Sequence, residues 1–210
     1  FAAPLVQAGL APDGTGHLSL RLPLAAPAMP PLPAALAIAG TKAPLLFDGE
    51  ALSGEVSLPG IAPWWPHTHG EPALHSLAVT LADRHRLDLG RIGFRRIEVD
   101  RGADGRGFAL RINGEAVFCR GAAWADPDPT DPRALLAQAR DAGLNMIRIP
   151  GTLPPPDAGF LHACDALGLL LWLDLPYARL DYPANDAEFR AQAASEARQI
   201  LAATQGSPSL

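Results

Sequence analysis

The pattern of apolar residues changes near residue 100, and this change limits the possible folds more than any other feature of the sequence. Before it, short runs of alternating apolar and polar residues recur at intervals of about ten residues, separated by Pro, Gly and Asp, as in strands and turns. The predicted strands are residues 17–22, 35–38, 45–47, 52–58, 74–81 and 92–99. Six or seven strands in about a hundred residues favour an antiparallel β-sandwich of the immunoglobulin-like type, assigned to residues 1–103.

Residues 104–210 have a different pattern, in which strands alternate with helical segments, as in βα units with a parallel sheet. A hairpin around Asn113-Gly114 comes first. One helix is predicted to begin at Asp131-Pro132 and to end at Gly143, a second to end at Gly168, and a third to cover residues 187–204. Strands are predicted at residues 146–149 and 169–173. Three βα units favour the first part of a (β/α)8 barrel. An open doubly wound sheet is the alternative, although no glycine-rich phosphate loop follows a strand.

Composition excludes several classes of protein. With 22 Pro, 20 Gly and 48% hydrophobic residues among 210, the chain is globular and built from short elements, so a coiled coil is excluded. The net charge is −5, and the basic residues, all Arg but one, form no run, which excludes a nucleic-acid partner. No apolar run approaches the roughly 18 residues of a membrane span, so no membrane partner is predicted.

The cysteines and the chain ends carry two further predictions. Cys119 and Cys164 match no metal or redox spacing, and both are predicted to be buried thiols. The first residue is Phe1 rather than Met, and an apolar strand is predicted to begin at the last residues. We therefore expect the chain to be a piece of a longer protein.

Four side chains near the ends of the predicted parallel strands are the candidate site, because barrel enzymes place their chemistry there. Arg148, in an otherwise apolar strand, needs a carboxylate or an anion as partner, either in an active site or in a structural ion pair. Asp174 follows the next strand and could bind a hydroxyl or cap a turn. Trp124 with Asp126 could form a sugar platform with a hydroxyl acceptor. The alternative is a Trp that plugs the barrel mouth and an Asp that stabilises a turn.

Other motifs carry weaker hypotheses. His67 and His69 could form a metal pair, but the sequence offers no third ligand nearby. Residues 64–66, Trp-Trp-Pro, are interpreted as a packed loop at the domain junction. No serine lies in a nucleophile-elbow motif. Neither a metal nor a cofactor is predicted.

Several of these motifs occur together in the order and spacing of one enzyme family. They are Pro63-Trp64-Trp65-Pro66, His69-Gly70, Arg91-Ile92-Gly93-Phe94-Arg95, Asn113-Gly114, Arg120-Gly121, Trp124, residues 143–148, Trp172, Asp174, Tyr182-Pro183 and Pro208-Ser209. This set resembles glycoside hydrolase family 2, especially its β-mannosidase-like branch. The close match covers about residues 60–210, and the earlier strands agree only in pattern.

The resemblance implies a retaining glycosidase that acts on β-linked sugars, β-mannosidase-like or β-galactosidase-like. It implies that both catalytic glutamates follow Leu210 and that a sugar-binding β-domain precedes Phe1, so this chain alone is expected to be inactive. The expected partners are a carbohydrate substrate and the remaining domains of the parent chain. Arg148 would orient the nucleophile, and Trp124, Asp126 and Asp174 would contact the substrate.

The chain departs from the family pattern at two places beside the expected sugar pocket. Ala123 stands where β-mannosidases usually carry Asn, and residues 150–152, Pro-Gly-Thr, replace an aromatic residue and glycines. The alternative function is therefore a non-catalytic carbohydrate-binding or interaction module derived from the same fold.

Overall fold

A computed structural model describes residues 4–24, 33–125 and 131–210. In the first part of the chain, seven antiparallel strands form one curled sheet. Their order is β1-β2-β5-β4-β3-β6-β7, with β1 Leu5–Leu10, β2 Gly16–Pro23, β3 Ala34–Ile38, β4 Thr41–Phe47, β5 Ala51–Leu58, β6 His75–Leu81 and β7 His85–Ile92. Strand β4 pairs with β3 over most of its length and with β5 through its last two residues, so it joins the two halves of the sheet.

The two halves of the curled sheet enclose a common apolar core to which every strand contributes. In β2 the residues alternate between buried and more exposed positions, as the sequence predicts for a strand with one buried face. Leu36 and Leu77 are fully buried at its centre. Each such leucine contributes roughly 1.5–3 kcal/mol relative to an exposed one. Hydrophobic burial therefore holds this part of the chain together.

The predicted strand at residues 92–99 is wrong as a single element, because β7 ends at Ile92 and a separate strand, β8, covers Ile97–Asp100. Gly93 lies in the break. A Cβ atom there would lie 2.8 Å from Cβ of Trp64 and 2.9 Å from Cγ of Pro208, so two side chains pack where a side chain of residue 93 would lie. This packing takes the chain out of the sheet. Strands β1 and β7 were not predicted.

A second sheet contains β8, β9 (Ala109–Ile112) and β10 (Glu115–Val117), in the order β10-β9-β8. The predicted hairpin is confirmed. Asn113 and Gly114 adopt φ values of 52° and 91° between β9 and β10, as a tight hairpin turn requires. The pairing of β8 with β9 joins a strand before residue 103 to a strand after it.

The third sheet is parallel and contains β11 (Gly121–Ala123), β12 (Met146–Ile149) and β13 (Leu170–Leu173). Helix α1 (Pro132–Asp141) lies between the first two strands, α2 (Ala158–Leu167) lies between the next two, and α3 (Ala187–Thr204) follows β13. The predicted alternation of parallel strands and helices is confirmed for these three strands.

Capping residues set the helix ends as predicted. The carboxylate of Asp131 accepts from the amide of Ala134 at 2.9 Å to begin α1, and Gly168, at φ 67°, ends α2. Two leucines on the helices are exposed, Leu135 of α1 to 40% and Leu201 of α3 to 52%. Every helix in the described ranges is too short or too polar to cross a membrane.

Gly168 also lies where the two parts of the chain are in contact. A Cβ atom there would lie 2.6 Å from the amide nitrogen of His67, which donates to the carbonyl of Gly168 at 2.9 Å. We expect Gly168→Ala to lower the free energy of unfolding by at least about 2 kcal/mol, from left-handed strain and the displaced loop.

Gly143→Ala is the matched control for this prediction. Gly143 also has a positive φ, 83°, but nothing lies within 4 Å of its added Cβ atom, so only about 1 kcal/mol of strain is expected. Urea denaturation followed by circular dichroism measures both losses. Equal losses would show that the close approach to His67 contributes nothing.

Candidate functional site

The candidate site lies on one face of the parallel sheet, where Arg148 and Trp172 are neighbours. In β12 the side chains of Ile147 and Ile149 are buried against helices α1 and α2, so Arg148, between them, points to the opposite face. Arg148 pairs with Ala123 of β11 and with Trp172 of β13 in the register of the sheet. Laterally paired residues share a face, which places the guanidinium beside the indole.

Asp174 completes this site. It directly follows β13, and its amide donates to the carbonyl of Ile149 at 3.0 Å, which fixes the residue beside the end of β12. The Arg148 guanidinium donates to the Asp174 carboxylate from Nη2 at 2.6 Å and from Nε at 3.2 and 3.3 Å. The predicted pairing of Arg148 with a local carboxylate is confirmed, while 55% of the arginine side chain remains exposed.

The ion pair favours the charged form of both groups. Hydrogen bonding from Arg148 is the main reason that the pKa of Asp174 lies below its usual value, with smaller contributions from the Gly151 backbone N–H and the Trp172 side chain, opposed by partial burial. The same pair raises the pKa of Arg148. The site therefore presents a fixed cation and anion at neutral pH. Such a pair can donate to and accept from neighbouring hydroxyl groups.

The backbone of Trp124 lies beside this site, but its side chain does not. Its amide donates to the carbonyl of Arg148 at 2.8 Å. Its half-buried ring packs edge-on against Phe160, with centroids 5.0 Å apart, in the core between the sheet and the helices. The indole face is therefore not beside the ion pair. Asp126, the other residue predicted near this strand end, lies outside the described residues.

Two exposed aromatic residues lie beside the site, of which Trp172 was predicted near the end of the third parallel strand and Phe108 was not predicted. Trp172 is 44% exposed and Phe108 is 57% exposed, and their ring centroids are 5.9 Å apart. They border an apolar cleft of about 340 Å³, which Leu175, Ile200 and Leu201 also line. The register explains the position of Trp172, because its lateral pairing with Arg148 places both side chains on the same face. No local sequence signal connects it to Phe108.

The loop with residues 64–66 joins the first and third sheets, as predicted. Trp64 is fully buried, and its Nε1 donates to the carbonyl of Asp165 at 2.8 Å. Around it lie Ile112, Val117 and Leu170. This loop is therefore part of a second core rather than an exposed binding surface.

The two histidines of this loop have other partners than a metal. The Nε2 atom of His67 lies 2.8 Å from the carbonyl oxygen of Leu144, and Nδ1 of His69 lies 2.8 Å from the hydroxyl of Thr68. Within residues 4–24, 33–125 and 131–210, no three His, Cys, Asp or Glu side chains form a possible metal site. The hypothesis of a histidine metal pair has no support from this geometry.

The cysteine prediction is half confirmed. Cys164 is fully buried in α2, and its burial raises the pKa of the thiol. Cys119, in the short connection between β10 and β11, is only half-buried at the margin of the core around Trp64, and its partial burial also raises its pKa. A raised pKa keeps both groups as unreactive thiols at neutral pH.

Comparison with curated proteins gives relatives of one kind. The chain is 35% identical over 133 residues to β-mannosidase B of Aspergillus flavus, a match that covers 57% of this chain and 16% of that protein. It is 32% identical over 153 residues to β-mannosidase B of Aspergillus clavatus, covering 65% of this chain and 17% of that protein. The chain thus spans about one sixth of the length of these relatives. No protein-family model matches.

Comparison with solved structures gives glycosidases of similar fold. The β-D-mannosidase of Dictyoglomus thermophilum superimposes with a TM-score of 0.78 at 24% identity, over 98% of this chain and 28% of that one. The GH2 β-galacturonidase of Eisenbergiella tayi, bound to galacturonate, gives a TM-score of 0.74 at 23% identity, over 99% of this chain and 38% of that one. At these identities the likeness establishes the fold.

Sequence and fold comparisons agree, and together they confirm the resemblance drawn from the motifs. The curated relatives described above carry the name β-mannosidase B, and the neighbours in fold include a β-mannosidase and a GH2 β-galacturonidase. The chain is therefore similar to the β-mannosidase-like members of glycoside hydrolase family 2.

Proposed function

We propose that the chain is an immunoglobulin-like sandwich joined to the first three βα units of a (β/α)8 barrel, with the boundary near residue 103, in a longer glycoside hydrolase. The parent enzyme would act on β-linked sugars with retention of configuration. The parallel order of β11, β12 and β13, with helices α1 and α2 between them, supports the barrel assignment. The curled sheet with its single core supports the sandwich.

The observation that carries this proposal is the exposed pair of Arg148 and Asp174 at the carboxyl edge of three parallel strands. Ligands of parallel α/β folds bind at this edge, because the loops that follow the strands meet there. A sugar presents hydroxyl groups that both donate and accept, which matches a guanidinium held against a carboxylate. The aromatic face of Trp172, beside the pair, suits the C–H face of a pyranose.

The proposed chemistry needs two further carboxyl groups. In a retaining mechanism, one carboxylic acid protonates the leaving oxygen, and a carboxylate about 5–5.5 Å away forms the glycosyl-enzyme intermediate. We place both groups outside residues 1–210, as the family resemblance implies. In this proposal Arg148 orients the nucleophile and Asp174 holds Arg148. Asp126 remains a predicted substrate contact, whereas the ring of Trp124 packs against Phe160 and is not assigned one.

The test is Arg148→Lys in the longer parent enzyme, assayed on aryl β-mannoside and β-galactoside. Lysine keeps the charge but loses the fixed two-pronged geometry toward Asp174. We expect kcat/KM to fall by about 100-fold, as a small misplacement of a positioning group can cause. The melting temperature should change little, because the pair is exposed and contributes little to stability.

The matched control is Arg111→Lys. Arg111 forms a similar exposed ion pair, with Nε 3.0 Å from the Asp100 carboxylate, on a different sheet. The Arg111→Lys variant should keep the kcat/KM of the unaltered enzyme. A normal rate for Arg148→Lys with a strongly lowered melting temperature would make Arg148 a structural residue and contradict the site. Sugar binding without turnover by the unaltered parent protein would instead favour the carbohydrate-binding module.

A further inference from the structure

A second polar cluster, unconnected to Arg148, lies at the junction of the first and third sheets. It holds residues 207–210, here called the edge segment. The carboxylate of Asp165, in α2, accepts from the Ser207 hydroxyl at 2.5 Å and from the Ser209 hydroxyl and amide at 2.7 and 3.1 Å. Asp165 is 2% exposed. The edge segment is thus fixed from the side of the helices.

Arg95 holds the same segment from the side of the first sheet. It follows β7, and its guanidinium donates from Nε to the carbonyl of Pro208 at 2.6 Å and from Nη2 to the carbonyl of Leu210. Pro208 also packs into the space that Gly93 leaves open. One arginine therefore contacts two carbonyl groups of a single turn, in which the amide of Leu210 donates to the carbonyl of Ser207.

The edge segment lies directly beside β13. The amide of Leu171 donates to the carbonyl of Ser209 at 2.7 Å, whereas the amide of the preceding residue, Leu170, donates to the carbonyl of Asn145 at 2.8 Å on the other side of the strand. The edge segment therefore contacts the side of β13 that faces away from β12. Leu171 is followed directly by Trp172, so this contact adjoins the candidate site.

Stability alone is a poor reason for a guanidinium at this place. Burial lowers the pKa of Arg95 to about 10, an effect that the nearby Asp165 carboxylate only partly opposes, so the cation persists at neutral pH at a desolvation cost. An apolar side chain would fill the same space without that cost. What the guanidinium adds is a rigid fork of donors with a fixed spacing. Two donors at a fixed spacing can bind two particular carbonyl groups and so fix where a backbone lies relative to the arginine.

We infer that Arg95 is a positioning residue, which sets the register of the edge segment against β13 by binding the carbonyl groups of Pro208 and Leu210. The first sheet would thereby control the geometry of the parallel sheet beside Trp172 and Asp174. The consequence for turnover rests on the proposed function. The position of the edge segment against β13 does not depend on the proposed function, and it can be measured on the chain alone.

The experiment is amide hydrogen exchange by NMR on Arg95→Lys, which keeps the charge but not the fork. Leu171 and Leu170 are adjacent amides that bond to opposite sides of β13, so their ratio reports the edge segment and is insensitive to global unfolding. We expect Leu171 to exchange at least about tenfold faster relative to Leu170 than in the unaltered chain. Arg96→Lys, a change in the neighbouring arginine that pairs with Glu98 at 3.2 Å, should leave the ratio unchanged.

Each other outcome overturns the inference. If both amides accelerate equally, Arg95 contributes to global stability and not to register. If Arg95→Lys does not fold, Arg95→Gln, which has no charge to bury, is measured in the same way. Failure of both variants to fold, with Arg96→Lys folded, would also assign Arg95 to global stability. The Arg148→Lys assay judges the proposed function separately, so the two can fail independently.

Discussion

Replacing Trp64 by alanine is expected to be one of the two most destabilising substitutions in the junction. Trp64 is fully buried, and its ring fills the space between Ile112, Val117 and Leu170. Removing a buried tryptophan leaves a cavity that costs about 3–5 kcal/mol. The Nε1 donor is also lost, which leaves the carbonyl of Asp165 without that partner. Urea denaturation monitored by circular dichroism measures the change in the free energy of unfolding.

Two further variants separate packing from hydrogen bonding. Trp64→Phe keeps most of the ring volume and loses only the donor, so we expect a loss of about 1–2 kcal/mol. Phe118→Ala removes an aromatic side chain that is 80% exposed, and its effect should stay within about 0.5 kcal/mol. A loss below about 1 kcal/mol for Trp64→Ala would mean that the loop is not part of the core.

The junction explains how the two parts of the chain form one structure. Trp64 contributes apolar area, His67 and Gly168 bring two backbones into contact, and Arg95 reaches the edge segment. None of these contacts joins residues that are neighbours in sequence. The first sheet is therefore not an independent appendage of the parallel sheet, because it supplies part of the packing that holds β13 and α2.

Most of the fold could be predicted because its signals are local. Alternation along β2, the Asn113-Gly114 turn and the capping by Asp131 each act within a few residues, and all three are confirmed. The predictions failed where contacts between residues that are distant in sequence determine the local structure. The predicted strand at 92–99 is interrupted because Trp64 and Pro208 pack against Gly93, and neither is near it in sequence.

The candidate site was predictable to the extent that the strand order was. Arg148 and Asp174 lie at the ends of consecutive parallel strands, so the fold hypothesis made Asp174 one possible partner of Arg148, and the structure shows the pair. The backbone of Trp124 lies directly after β11, as predicted, but its ring turns into the core and packs against Phe160. The direction of a side chain beyond a strand end depends on packing, and sequence periodicity no longer applies there.

The buried carboxylate of Asp165 was not predicted as a functional or structural group, and its removal is the second large effect that we expect. Asp165→Ala removes the acceptor of three hydrogen bonds from Ser207 and Ser209 and the negative charge near Arg95. Leaving buried partners unpaired costs roughly 3–5 kcal/mol. The free energy of unfolding, measured with urea at neutral pH, should fall by that amount.

Asp165→Asn tests the charge separately through pH. Burial raises the pKa of Asp165 above its usual value of 3.8, an effect that the bonds from Ser207 and Ser209 oppose. The folded chain therefore binds this proton more tightly than the unfolded chain. The stability that Asp165 contributes is complete below the ordinary carboxyl pKa and is lost as the pH rises through the raised value. Asparagine does not titrate, so the stability of the variant relative to the unaltered chain should increase with pH across that interval. Urea denaturation at a series of pH values measures this difference. A difference that decreases with pH would mean that the carboxylate is stabilised in the folded chain and that its pKa is lowered.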